Sequence, residues 1–250
     1  MFTPNRLLRE ARRQKRLRPK SVPQVCVLDP DGDIVRYLVA TGRARLDPSW
    51  PCYHSRLHVF RHGGQRLGII GCAVGGAFAV LVAEELFASG CRFLISVTSA
   101  GEILPLREPP YFVLIDQALR DEGTSYHYRP VSAFSHADKR LVRLIHAALK
   151  ARGLPVVRGT TWTTDAPFRE TASSIRARRA EGILAVEMEA AALYAFAHAR
   201  HCAVVCFAHV TNRMGRVEGD FEKGTAGGAP DALAAIELAA QAWRSVRSHR

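Results

Sequence analysis

Short apolar runs alternate along the chain with longer segments in which apolar side chains recur at every third or fourth position. The first pattern is typical of buried strands and the second of amphipathic helices, and glycine or proline separates most of the segments. The predicted strands are residues 25–28, 67–72, 93–98, 111–116, 156–163, 182–186 and 203–210. The predicted helices are residues 77–89, 137–151, 173–179, 190–199 and 231–246.

Strands that alternate with helices in this way predict an α/β fold around a mostly parallel sheet. The chain has 250 residues, of which 48% are hydrophobic, and this is enough for one domain with a substantial core. The uncharged run at 67–83 is interrupted by Gly71, Gly75 and Gly76 and is shorter than the roughly 20 residues that cross a bilayer. We therefore expect one domain and no membrane span.

The net charge of +12 is concentrated near the N-terminus, where residues 5–20 carry eight basic side chains and one acidic side chain. Such a segment suits a nucleic acid or an anionic surface, or it is a solvated extension with no partner. It has no interleaved aromatic side chains for base stacking, and the chain shows no nucleic-acid-binding motif. We therefore expect residues 1–20 to form a basic, detachable N-terminal extension, and we expect no nucleic-acid partner.

The six cysteines lie mostly in apolar surroundings, where cysteine behaves as a small hydrophobic residue, and they form no CxxC pair. Cys202 and Cys206 lack a nearby second pair of histidine or cysteine ligands, so we predict no zinc site and no other metal. Free thiols fit a reducing compartment, and the N-terminus lacks the apolar core of a secretory signal. We therefore expect a cytoplasmic protein.

Two carboxylates, Glu187 and Glu189, lie inside one of the most apolar stretches of the chain. An ionised carboxylate is costly to bury without a partner, so these side chains are either exposed on one helix face or held for a task. The predicted strand 182–186 gives way here to the predicted helix 190–199. Sites of α/β proteins lie just beyond the carboxyl ends of strands, whereas acids at a helix start stabilise its positive end. The pattern alone leaves both interpretations open.

Five segments carry further patterns, and they follow one another along the chain. They are a glycine-rich turn between a strand and a helix (71–86), Arg120 to Tyr128, Thr163 to Thr171, Val186-Glu187-Met188-Glu189, and His209 to Met214. Together they resemble the nucleoside phosphorylases of the uridine and purine nucleoside phosphorylase superfamily. This resemblance implies a single α/β domain with a central mixed, mostly parallel sheet flanked by helices. It assigns residues 21–250 to a nucleoside phosphorylase-like catalytic domain.

The resemblance also implies the chemistry, which is cleavage of the N-glycosidic bond of a nucleoside by phosphorolysis to the free base and (deoxy)ribose 1-phosphate. It implies phosphate as a co-substrate and no other cofactor. Glu189 would accept hydrogen bonds from the 2′- and 3′-hydroxyls, because a carboxylate suits a cis-diol. Met188 would pack on the sugar, and Glu187 would be a neighbouring acid. The other substrate-binding candidates are Gly75, Ser99, Arg169 and Phe168, the last as an aromatic wall for the base or, alternatively, as a core residue.

Asn212 and Arg213 fall where the resembled family handles the leaving base, and they are the catalytic candidates. Hexameric purine phosphorylases carry an aspartate at the place that aligns with Asn212, whereas Arg213 matches the arginine of the uridine-specific branch. Such an arginine stabilises negative charge that develops on the leaving ring. The alternative is a surface arginine that follows a strand. The residues after Phe168 give no clean match to the uridine branch, so the base, uracil or purine, stays open.

The phosphate side departs from the family pattern. The glycine and the arginine expected in the first phosphate loop are replaced by Leu28 and Gly32, and a second expected arginine is Ser96. A dianionic phosphate needs cationic donors, and the remaining phosphate candidates are Ser99 and a loosely aligned Arg56. The family lends that third arginine across a dimer interface, so the resemblance implies a homo-oligomer, either a dimer or a hexamer.

Three functions are therefore open from the sequence. Phosphorolysis is the leading hypothesis, and hydrolysis follows if water replaces phosphate in a pocket that is depleted of arginine. A non-catalytic relative that binds a nucleoside is the third. The presence of Glu189, Met188 and Arg213 argues against a fully inactive site.

Overall fold

The computed structural model describes residues 2–214 and 218–247 of the chain. Within these residues the helices are α1 (Pro4–Lys15), α2 (Asp33–Ala40), α3 (Gly76–Ala88), α4 (Lys139–Ala151), α5 (Ala172–Ala180), α6 (Ala190–Arg200) and α7 (Ala229–Arg247). The strands are β1 (Val25–Asp29), β2 (Ala44–Leu46), β3 (Leu57–His62), β4 (Gln65–Gly71), β5 (Phe93–Glu102), β6 (Tyr111–Asp121), β7 (Phe134–His136), β8 (Val156–Thr164), β9 (Ala185–Glu187) and β10 (Ala203–Asn212).

These strands form one sheet in the order β10-β6-β8-β9-β5-β1-β4-β3-β2, with β7 paired to β6. The neighbours β4, β1, β5 and β10 are parallel, and so are β6, β8 and β9. Antiparallel pairs join β10 to β6 and β9 to β5. Because β10 also pairs with β5, the strands β10, β6, β8, β9 and β5 close into a ring. The expectation of a single α/β domain with a mixed sheet is confirmed.

The core lies between this sheet and the helices packed on it. Every residue of β1 is buried, as is α6 from Ala190 to Phe196. The predicted apolar face of α7 is buried at Leu233 and Trp243, and the Trp243 ring stacks on Phe93 with the ring centroids 5.2 Å apart. Neither α7, with 19 residues, nor any other helix in the described part of the chain is long and apolar enough to cross a membrane.

The predicted strands and helices are all present, but several of their ends differ. The strand predicted at 93–98 continues to Glu102, and the strand predicted at 111–116 continues to Asp121. These extensions contain polar residues, and they are held by pairing with β9 and β10 in the first case and with β7 and β8 in the second. A pattern of apolar residues does not reveal such extensions, because the hydrogen bonds come from distant strands.

The N-terminal segment is a helix packed on the rest of the domain. Leu8 and Ala11 of α1 are buried, and α1 packs against α3. At the end of the helix, Lys15 Nζ donates to the carbonyl oxygens of Pro51 and Cys52 at 2.7 Å each. The expectation of a solvated extension is therefore wrong, because Leu8 and Ala11 form an apolar stripe among the basic side chains. The division of the chain at residue 20 stays a prediction.

A tight turn leads from β1 into α2, and its acidic residues anchor it. The Asp29 carboxylate accepts hydrogen bonds from the backbone N–H groups of Gly32 at 3.2 Å and Val35 at 2.8 Å. Gly32 has a φ of 77°, a conformation that favours glycine. Burial raises the pKa of Asp29 to about 7. This turn holds Asp31 at the carboxyl end of β1.

Candidate active site

The ends of β1, β5, β9 and β10 meet at one edge of the sheet. Ser99 of β5 lies opposite His209 of β10, and Gly101 lies opposite Asn212. Gly101 also pairs with Val186 of β9. A Cβ on Gly101 would lie 3.3 Å from Asn212 Oδ1, so glycine permits a close approach here. Residues from separate sequence motifs therefore converge where α/β proteins place their sites.

Glu187 ends β9, and both oxygens of its buried carboxylate are bonded within the protein. Oε1 accepts hydrogen bonds from the hydroxyls of Thr161 and Thr163 at 3.2 and 2.5 Å. Oε2 accepts hydrogen bonds from the backbone N–H groups of Glu189 and Ala190, each at 2.7 Å. Burial raises the pKa of Glu187, and these hydrogen bonds oppose that rise. Glu187 thus holds the start of α6, and a direct contact with substrate stays a prediction.

Glu189, the N-cap residue of α6, is only 1% exposed. Its two carboxylate oxygens differ in their hydrogen bonds. Its Oε1 accepts a hydrogen bond from the Gly75 N–H at 2.7 Å. Its Oε2 is buried and makes no hydrogen bond of good geometry among the described residues, although the Thr98 hydroxyl lies near the carboxylate and opposes the rise of its pKa. Burial, together with the nearby charge of Glu187, raises the pKa of Glu189 to about 8. Such a buried, unpaired oxygen is costly, and an incoming donor would relieve that cost.

The glycine-rich turn beside Glu189 depends on two glycines. Gly75 has a φ of 86°, which side chains with a Cβ rarely adopt. A Cβ on Gly76 would lie 2.9 Å from the Ala192 Cβ, so α3 and α6 approach closely because Gly76 has no side chain. Met188 is half-buried, and its carbonyl oxygen lies 3.7 Å from the same Cβ position. The structure therefore brings together the predicted residues Gly75, Met188 and Glu189.

Asn212 ends β10 and is buried. Its Nδ2 donates to Thr211 Oγ1 at 3.2 Å, and its Oδ1 accepts a hydrogen bond from the Met214 N–H at 2.9 Å. The amide therefore shapes the turn that leaves β10 and retains donor capacity on Nδ2. A catalytic role for Asn212 stays a prediction.

Arg213 lies directly after β10 and faces two carboxylates. Its guanidinium pairs with Glu108, and its Nε lies 3.5 Å from Oε2 of the buried Glu102. The Arg213 N–H also donates to the carboxylate of Asp220. The side chain is 39% exposed, so Arg213 is neither a free surface arginine nor a buried one. Its predicted role toward the leaving base stays a prediction, and the two carboxylates already balance its charge.

Ser99 directs two donors at one carboxylate of its own chain. Its backbone N–H donates to Asp31 Oδ2 at 2.7 Å, and its hydroxyl donates to Asp31 Oδ1 at 2.8 Å. Lys223 Nζ lies 3.8 Å from Asp31 Oδ1 and 2.6 Å from Asp33 Oδ2. The sequence-predicted contact of Ser99 with phosphate or substrate stays a prediction, and it requires Asp31 to move.

Arg56, the other phosphate candidate, is exposed just before β3. It lines a cavity of about 380 Å³ that also includes Gly32 and Arg36 from the turn and helix after β1. Ser96, which stands where the resembled family has an arginine, is buried within β5. A contribution of Arg56 to a neighbouring subunit stays a prediction.

Phe168 and Arg169 lie in a single 3₁₀ turn after β8. Phe168 is 100% exposed, so the alternative that it is a core residue is wrong. The Arg169 side chain is exposed as well. The following residue, Glu170, is half-buried, and burial raises its pKa to about 7. Contacts of Phe168 and Arg169 with a base stay predictions.

Three residues at this edge were not among the sequence candidates. Asp31 had a signal in the sequence, because it belongs to a run of three acids in the turn after β1. Lys223 had none, since it comes from a distant segment. His209 is buried and stacks on Phe112 with the ring centroids 4.4 Å apart. Burial, and then the charge of Lys223, lower the pKa of His209 to about 4, so its ring is neutral near pH 7.

The chain is similar in sequence and in fold to known proteins. The chain is 28% identical to a uridine phosphorylase from Thermococcus kodakarensis, over 74% of this chain and 77% of that protein. A shorter match, 26% identical over 102 residues, links 41% of this chain to 40% of a uridine phosphorylase from Haemophilus influenzae. The fold is similar to the crystal structure of a uridine phosphorylase from Vibrio fischeri, with a TM-score of 0.73, 21% identity, and coverage of 91% of this chain and 94% of that one.

The family model described as the phosphorylase superfamily matches residues 24–242. That match includes the five sequence motifs and the whole edge of the sheet at which the site residues meet. The resemblance inferred from those motifs is confirmed, and the chain belongs to the phosphorylase superfamily.

Proposed function

We propose that this protein cleaves the N-glycosidic bond of a nucleoside by phosphorolysis, releasing the free base and (deoxy)ribose 1-phosphate. The observation that carries the proposal is the buried Glu189 carboxylate. Its Oε1 is held by the Gly75 N–H at 2.7 Å, and its Oε2 has no partner in the part of the chain that the structure describes. Family membership and the uridine phosphorylases among its relatives support the same reaction class.

A ribosyl group offers two adjacent hydroxyls, and the free Oε2 of Glu189 offers an acceptor for them. Hydrogen bonds to a carboxylate favour its ionised form, so substrate binding would lower the raised pKa of Glu189. The transition state of glycosidic cleavage carries positive charge on the sugar. An ionised Glu189 beside that sugar would stabilise this charge, and low exposure would strengthen the interaction.

In the proposed reaction, an oxygen of hydrogen phosphate bonds to the anomeric carbon while the bond from that carbon to the base nitrogen breaks. The proton that the phosphate loses ends on the base. The electron pair leaves with the base, toward which the Asn212 amide and the Arg213 guanidinium are proposed to donate hydrogen bonds. Because Arg213 is paired with Glu102 and Glu108, its guanidinium must exchange one carboxylate for the base. Only a donor that gains strength as charge develops would increase the rate.

The remaining features are proposals of the same kind. Phosphate is the proposed co-substrate, with Ser99 and Arg56 as candidate contacts, and no further cofactor is proposed. A homo-oligomer, as a dimer or hexamer, follows from the family resemblance. A cytoplasmic location is proposed from the six free cysteines.

A panel of nucleosides, incubated with and without phosphate, tests this function. Uridine is the first substrate to try because the curated relatives are uridine phosphorylases. Ribose 1-phosphate that forms only with phosphate supports phosphorolysis. Free ribose as the sole sugar product, both with and without phosphate, would instead indicate hydrolysis. Binding without turnover of any nucleoside would indicate a non-catalytic relative.

A further inference from the structure

The contact between Ser99 and Asp31 links two elements that are far apart in sequence. The donors are the backbone N–H and the hydroxyl of Ser99, and the acceptors are the two carboxylate oxygens of Asp31, at 2.7 and 2.8 Å. The Asp31 side chain is 28% exposed, so the pair lies at the open edge of the sheet and not in the core. Two donors that converge on one carboxylate form a binding site for an anion, here called the anion subsite of Ser99. In this structure the anion that fills it is the Asp31 side chain.

A phosphate would use the same donors. Its oxygens accept hydrogen bonds from N–H and O–H groups in the same way that a carboxylate does. The Asp31 carboxylate and a phosphate cannot both accept the two Ser99 hydrogen bonds, since they would occupy one position and repel each other as like charges. Occupancy of this subsite by Asp31 or by phosphate is therefore exclusive.

The turn that carries Asp31 is anchored on both sides. Before it, the Asp29 carbonyl accepts hydrogen bonds from the backbone N–H groups of Gly32 at 2.9 Å and Cys72 at 3.0 Å. After it, the Asp29 carboxylate holds the Val35 N–H at 2.8 Å. Asp31 thus belongs to a hydrogen-bonded turn, and moving its carboxylate away from Ser99 costs free energy.

Charge at this turn also disfavours a second anion. Asp29, Asp31 and Asp33 lie within five residues of one another. Two cations pair with the last of these acids. Lys223 Nζ lies 2.6 Å from Asp33 Oδ2, and the Arg36 guanidinium lies 2.5 Å from Asp33 Oδ1. Asp33 therefore already pairs with two of the cations that a phosphate at this turn would need.

We propose that Asp31 is a specificity-determining residue for the attacking group, because its carboxylate fills the anion subsite of Ser99 and phosphate enters only by displacing it. This inference rests on the proposed function, in which phosphate attacks the sugar. It implies a weak affinity for phosphate, so that water competes. When water attacks, its oxygen bonds to the anomeric carbon, the bond to the base breaks with its electron pair on the base, and one water proton ends on the base.

Phosphate binding to the full-length protein tests the proposal without any need for turnover. Isothermal titration with inorganic phosphate would compare the wild type with Asp31→Ala and Asp31→Asn. We expect Asp31→Ala to bind phosphate about tenfold more tightly or better, because the competing acceptor and its charge are both removed. Asp31→Asn removes the charge but keeps an acceptor oxygen, so we expect a smaller gain. Circular dichroism of each variant checks its folding.

Asp33→Asn is the matched control. It frees Lys223 and Arg36 from their shared carboxylate but leaves the Ser99 donors on Asp31. We therefore expect a smaller gain in phosphate affinity than Asp31→Ala gives. Ser99→Ala supplies the second arm. It removes the hydroxyl donor and keeps the backbone N–H, so in the Asp31→Ala background it should cancel part of the gained affinity. In the wild type it should change phosphate affinity little.

The products give an independent readout. The products are compared at a fixed phosphate concentration of about 1 mM, a value that corresponds to the Kd of a weak complex. Under this condition Asp31→Ala should raise the ratio of ribose 1-phosphate to free ribose. Equal phosphate affinity in the wild type and Asp31→Ala would overturn the inference, as would a gain that Ser99→Ala leaves undiminished. Absence of turnover by every variant would instead refute the proposed function, and the binding comparison would still decide the role of Asp31.

Discussion

The two sides of the candidate site differ in whether their polar groups are hydrogen-bonded within the chain. On the sugar side, where β9 leads into α6, Glu189 keeps an oxygen without a partner in the described part of the chain. On the acceptor side, where β1 and β5 end, both donors of Ser99 are taken by Asp31. One half therefore keeps a buried acceptor without a partner, while the other has its donors filled by the chain. If the proposed roles hold, the sugar-binding half of the family site is retained and the half that admits the second reactant is rebuilt.

The sugar side itself contains a second contrast, between Glu187 and Glu189. Four hydrogen bonds from the protein saturate Glu187, and two of them come from the backbone at the start of α6. Glu189 receives one bond, from Gly75. The two interpretations that the sequence left open are therefore divided between the two residues. Glu187 stabilises a helix start, and Glu189 is the proposed ligand-binding acid.

The largest effect is expected from Glu189→Ala. If the carboxylate binds the sugar hydroxyls, its removal should lower kcat/KM by about 10³-fold, equivalent to about 4 kcal/mol of transition-state binding. Steady-state kinetics on the best nucleoside of the panel measures the loss. Glu181→Ala is the matched control, because Glu181 pairs with Arg178 on the surface, and its kcat/KM should stay near that of the wild type. A near-normal kcat/KM for Glu189→Ala would remove this residue from the site.

The next effect concerns stability and tests the contrast between the two glutamates. Glu187→Ala would leave two threonine hydroxyls and two backbone N–H groups buried without their acceptor. We expect a loss of about 3 kcal/mol in the free energy of unfolding, because unsatisfied buried polar groups keep their full desolvation cost. Urea denaturation measures it. A loss below about 1 kcal/mol would mean that Glu187 is not the structural member of the pair.

The smallest effect is a dependence of stability on pH. The pKa of Glu189 is about 8 in the folded protein and 4.5 in the reference state, so between these values the folded state holds a proton that the unfolded chain has released. The stability that this proton confers is fully present below about pH 4.5 and is lost as the pH rises toward about 8.

Glu189→Gln cannot release this proton and should lack this part of the slope. Between pH 5 and 7, the wild type should therefore lose up to about 1.4 kcal/mol per pH unit relative to Glu189→Gln. Urea denaturation of both proteins at pH 5, 6 and 7 gives this difference. The raised pKa of Asp29 acts in the same direction, but it is common to both proteins and cancels. Parallel slopes would show that Glu189 is ionised throughout this range.

Much of the fold and part of the site could be predicted from local patterns. The strands and the helix α6 around Glu189 follow from apolar periodicity and from glycine at the turns. The helix α1 could not be predicted from charge, because its short apolar stripe of Leu8 and Ala11 lies among basic side chains. The exposure of Phe168 could not be predicted from the sequence either, since phenylalanine occurs both in cores and in ligand pockets.

The sequence by itself determined the α/β alternation, the family and the choice of Glu189 as a candidate, because periodicity and motif order are properties of neighbouring residues. Only the tertiary structure decided what each acid contacts. Asp31 reaches Ser99 across 68 positions of the chain, and Glu187 reaches Thr163 across 24. The first contact depends on the parallel pairing of β1 with β5, and the second on that of β8 with β9, in which Thr163 lies opposite Glu187. Local patterns do not encode these pairings. The contact of Asp31 with Ser99 could therefore be seen only in the folded chain.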